Sequence, residues 1–60
     1  MNLINYIGLR VKIILTNEYY FLGKVISAED NSLDLIDMKG KRVSLVKSSI
    51  FSIQEISNGN

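Results

Sequence analysis

Between Gly8 and Ile56 the chain sets apolar and polar residues in short alternating bursts, each closed by residues that favour turns. Leu9, Val11 and Ile13 alternate with Arg10, Lys12 and Ile14, the period of two expected of a strand with one buried face. Thr16-Asn17-Glu18 is a turn, and a long β-rich run follows over residues 19–27. Gly23 interrupts that run, which marks a sharp bend or a close backbone approach. Residues 28–32 are polar and predict a loop. Leu33 and Leu35 then resume the alternation to Met38, and Lys39-Gly40 closes a tight hairpin. Val43, Leu45 and Lys47 share one face of a fourth strand, Ser48-Ser49 ends it, and residues 50–56 make a fifth. Ahead of the strands, Leu3, Ile4 and Ile7 stand at helical spacing, with Asn2 as N-cap and Gly8 just past the end. A helix this short needs the sheet to hold it. Residues 57–60 offer no apolar anchor and are expected to fray as a disordered tail. The organisation expected is one domain over 1–56 with a tail at 57–60.

Composition narrows what such a domain does. Sixty residues bury only about 60% of the unfolded surface, and chains below roughly 70–80 residues commonly need a staple. The sequence has no Cys and no His, which excludes disulfides, thiolate chemistry and the usual zinc ligands. Self-association is the remaining route to added stability. Seven Lys and Arg against six Asp and Glu give a net charge of +1, too weak to coat nucleic acid as a single subunit. Copies arranged in a ring still present a basic rim. The longest apolar run, Ile13-Ile14-Leu15, is too short to span a membrane, and Met1-Asn2-Leu3 opens no signal-peptide core. A cytoplasmic location is expected. With no catalytic His or Cys, no phosphate loop and no dinucleotide glycine pattern, the chain reads as a non-enzyme with no cofactor, metal or small-molecule substrate.

The fold class expected is all-β: a small, strongly bent, five-stranded antiparallel barrel with a short N-terminal helix. In order of elements this resembles the Sm-like family, which includes the Lsm proteins and bacterial Hfq. Gly8 ahead of the first strand matches the family's first motif. Phe21-Leu22-Gly23-Lys24-Val25 is similar to its aromatic-x-Gly-x-apolar signature, and Asp30-Asn31-Ser32-Leu33-Asp34 to the Asp-x-x-apolar-Asn element that follows. Leu45-Val46-Lys47-Ser48-Ser49-Ile50 resembles the second motif in its Hfq form. The loop is one residue longer than the family spacing, Asp34 replaces Asn, and Ser48 stands where Hfq has His.

The resemblance implies that strand four of one copy pairs with strand five of the next, closing a hexameric or heptameric ring. This removes edges that otherwise invite aggregation. It further implies that Asp30, Asn31, Ser32, Asp34, Lys47, Ser48 and Ser49 face a central pore and bind single-stranded, U- or A-rich RNA. There Asn31 would meet a base edge, Lys47 a phosphate, and Ser48 or Ser49 a 2′-hydroxyl. Ser32 offers no stacking ring and Asp34 adds negative charge. The alternative is therefore a structural or protein-interaction ring that has lost RNA binding. A monomeric barrel of another family, docking on a ribosome or polymerase, is the third reading.

Two side-chain groups stand apart from that site. Tyr19, Tyr20 and Phe21 are the aromatic cluster, but alternation sends Tyr20 away from its neighbours, which favours packing over an aromatic cage. Arg10, Lys12 and Lys24 recur at outward positions, either as a solvated face paired with Glu18 or Glu29 or as a basic path. Lys39, Lys41 and Arg42 gather at the hairpin turn, where they keep it soluble or meet phosphate.

Overall fold

A computed structural model describes residues 1–56 of the chain; the frayed tail expected at 57–60 lies outside the described residues. Five antiparallel strands follow one another as β1 (Arg10–Leu15), β2 (Tyr20–Ala28), β3 (Ser32–Asp37), β4 (Arg42–Val46) and β5 (Ile50–Glu55). They form one sheet in the order β4-β3-β2-β1-β5. Three consecutive hairpins build four of its strands, and β5 returns to pair with the far side of β1.

The sheet bends around a core of Leu3, Val11, Ile13, Val25, Leu33, Leu35 and Ile50. Each strand residue in this set is an inward position of the period-two pattern, so alternation alone places it inside. Burying each such side chain contributes about 1.5–3 kcal/mol. Curvature comes from Gly23 and from two register shifts, one between Ile14 and Leu15 and one between Val25 and Ser27. Such bulges increase the local twist and let a strand turn a corner.

The sheet is not closed into the barrel that the sequence predicted. β4 and β5 are its two ends and do not pair with each other. The reason is local. A 3-10 turn at Lys47–Ser49 separates them, and β5 is committed to β1 from its first residue, where Leu15 pairs with Ile50 and the Thr16 N–H donates to the Ser49 carbonyl at 2.9 Å. Each end strand is left with one open side.

The N-terminal helix is a single 3-10 segment, Leu3–Tyr6, packed on β2 and β3. The Asn2 side chain accepts from the Ile4 N–H at 3.3 Å, and Gly8 takes a φ of +86°. At three residues per turn, positions i and i+3 eclipse. Leu3 and Tyr6 therefore face the core while Ile4 and Ile7 are exposed, correcting the α-helical spacing that grouped Leu3 with Ile4 and Ile7.

Candidate nucleic-acid interface

The loop between β2 and β3 and the turn between β4 and β5 meet at one corner of the sheet. The Lys47 N–H donates to the Asn31 carbonyl at 2.7 Å, continuing the β3–β4 ladder, in which Ser32 pairs with Val46. The loop is pinned at its base by the Glu29 N–H donating to the Ser32 carbonyl at 2.8 Å. Asp30 and Asn31, at its tip, are exposed. Across the corner, the Ser49 hydroxyl donates to the Val46 carbonyl at 2.7 Å. That bond ties the last residue of the 3-10 turn back to the carbonyl that precedes it and leaves Ser48 as the turn's exposed hydroxyl. Five of the seven candidate residues, Asp30, Asn31, Lys47, Ser48 and Ser49, therefore come from two adjoining turns, and Ser32 is the first residue of β3 beside them.

Asp34 is placed differently. It lies two residues along β3, on the outward face opposite Ser44, and is held by Arg42, whose terminal guanidinium nitrogen and Nε donate to one carboxylate oxygen at 2.6 and 3.1 Å. The Arg42 guanidinium, with the Ser44 hydroxyl adding to it, keeps the Asp34 carboxyl below its ordinary range. The negative charge that sequence set against RNA binding is thus neutralised from β4. Between this pair and the loop lies an open cleft of about 200 Å³, lined by Ser27, Ala28, Glu29, Ser32, Leu33 and Asp34. Arg42 belongs to the hairpin cluster in sequence; its partnership with Asp34 follows from the β3–β4 register, which no short motif encodes.

The aromatic residues do not converge. Phe21 packs against the core, Tyr20 faces out beneath Lys12, whose Nζ lies 4.9 Å from the ring centroid, and Tyr19 is exposed in the turn. The pairings of Arg10, Lys12 or Lys24 with Glu18 or Glu29 do not form; Arg42–Asp34 is the one ion pair among the described residues.

On the two end strands, β4 exposes Val46 and β5 exposes Phe51, 56% and 71% accessible. Large apolar side chains on open strand edges are unusual for a lone domain, because such edges template further pairing. Among the described residues no helix is long and apolar enough to cross a membrane. No family model, curated protein or solved structure matches the chain.

Proposed function

We propose that the chain is an Sm-like subunit which assembles edge to edge, β4 of one copy on β5 of the next, into a closed ring that binds single-stranded RNA without catalysis. One observation carries this reading: the Lys47–Ser49 turn, already joined to the Asn31 loop, lies between the two strands with open sides. Assembly through those edges would repeat the corner once per subunit around a common axis. Each copy then contributes a weak contact, and the ring multiplies them through effective concentration. Asn31 and Ser48 would meet base edges and sugar hydroxyls, and Lys47 a phosphate.

A silent structural ring is the second reading. It is favoured by the Ser49 hydroxyl, which is spent on the turn, and by Ser32, which offers no stacking surface where a ring is worth roughly 1–3 kcal/mol per base. Sedimentation with fluorescent oligo-U and oligo-A distinguishes these readings. The proposal expects an oligomer that carries the labelled RNA. An oligomer without RNA supports the structural ring, and a monomer refutes both.

A further inference from the structure

At the other end of β3 from the candidate interface, the outward face holds a half-open groove of about 430 Å³. Its walls are Ile26, Ile36, Met38 and Ile56, and Arg10 and Lys24 line it with them. Arg10 and Lys24 are directly opposed in the β1–β2 register, and both are exposed. Like charges set face to face across a strand pair destabilise the sheet, and neither cation has an ion-pair partner among the described residues. The carboxylate that also lines the groove, Asp37, is already engaged. One of its oxygens accepts from the Lys39 and Lys41 N–H groups at 2.9 Å each. The groove therefore combines an aliphatic wall with an excess of positive charge that the fold itself does not use.

We propose that this groove docks an acidic, apolar segment of a partner protein, its aliphatic side chains on Ile26, Ile36 and Met38 and its carboxylates on Arg10 and Lys24. The volume falls in the range of roughly 300–1,000 Å³ typical of ligand sites. β1, β2 and β3 are paired on both sides here, so the segment binds through side chains rather than as an added strand. The lining favours a peptide over a nucleic acid: it has no aromatic ring, and unpaired bases are held mainly by stacking. Met38, 74% accessible, is the kind of adaptable thioether that suits a peptide-binding surface. The site is separate from the proposed RNA corner and does not depend on it.

The test uses short fluorescein-labelled peptides of Glu and Leu, of Lys and Leu, and of Glu and Ser, with oligo-U as competitor, read by fluorescence anisotropy on the full chain. Saturable binding of the Glu–Leu peptide alone is expected. Arg10→Gln with Lys24→Gln should weaken it by about tenfold or more while raising the melting temperature, because the opposed charges are removed. Met38→Ser should weaken it with the charges intact, and Arg10→Glu with Lys24→Glu should transfer preference to the Lys–Leu peptide. Lys47→Ala should leave peptide affinity unchanged, which separates this site from the RNA reading. Absence of saturable binding, equal binding of the Glu–Ser peptide, displacement by oligo-U, or insensitivity to all three groove variants would each overturn the proposal.

Discussion

Gly23 and Ile36 lie so close across the β2–β3 pair that a Cβ on Gly23 would collide with the Ile36 carbonyl oxygen and stand 2.9 Å from the carbonyl carbon. The Leu35 side chain is equally near, with Cδ1 at 2.9 Å. This approach lets β2 bend over the core, so the absence of a side chain at one position adds to the curvature that the two register shifts also give.

Gly23→Ala should therefore cost about 2 kcal/mol or more, since the neighbour is backbone and overpacking typically costs 1–3 kcal/mol. A domain of this size holds only about 3–9 kcal/mol in total, so a large share of its stability goes. Gly40→Ala is the contrasting case. Its φ is +85° with nothing near the added atom, and the left-handed backbone costs roughly 1–2 kcal/mol. Urea unfolding of both variants checks the order, with Gly23→Ala the more damaging.

Phe51→Lys and Val46→Lys place a charge on each open edge, the device by which sheets avoid further pairing. Both side chains are exposed, so the folded subunit should change by no more than about 0.5 kcal/mol. Each substitution should abolish self-association, read as a shift in sedimentation coefficient at unchanged circular dichroism. Ile53 differs, because it packs against the core; Ile53→Lys should unfold the subunit as well as disperse it.

In the proposed interface, Lys47→Ala should weaken RNA binding while leaving the ring intact. It should also lower the salt slope of log affinity by about one unit, the signature of one lost phosphate contact. Asn31→Ala should weaken binding with the salt slope unchanged, since it removes a base contact. Anisotropy titrations over a range of salt distinguish the two.

Two carboxylates set the acid behaviour. The Lys41 N–H is the main cause that holds Asp37 below its ordinary value of 3.8; partial desolvation opposes it, and the Lys39 N–H adds a smaller lowering, while Arg42 lowers Asp34. A lowered native pKa means that the unfolded chain binds more protons than the native one. The stabilisation is then complete above the unfolded value near 3.9 and is lost as pH falls through the lower native values. Stability should be flat from pH 7 to 5 and decline below about pH 4. Asp37→Asn keeps an oxygen for both N–H groups, so it should flatten that decline without opening the turn. Thermal melts at a series of pH values provide the check.

Much of this fold was legible because a half-buried strand has a period of two. Val11, Ile13, Leu33 and Leu35 fall on the apolar side of the alternation that the sequence shows, and all are buried. Gly23 and Gly40 were legible because each breaks the apolar–polar pattern, Gly23 where another strand's backbone comes too close for a side chain and Gly40 where the turn needs a left-handed φ. What escaped the sequence depends on register. The Asp34–Arg42 pair, the like-charged Arg10–Lys24 pair and the bulges arise from how strands slide past one another, and side-chain alternation does not encode that offset. The 3-10 form of Leu3–Tyr6 was hidden because a single turn is too short to distinguish a period of 3.0 from 3.6. The open ends of the sheet follow from the early commitment of β5 to β1, a long-range pairing with no local signature.

Native mass spectrometry of the full chain at micromolar concentration tests the edge-pairing account most directly. The account predicts a single discrete stoichiometry of six or seven copies that collapses to one copy in Phe51→Lys. A wild-type spectrum containing only the 6.8 kDa subunit would contradict it.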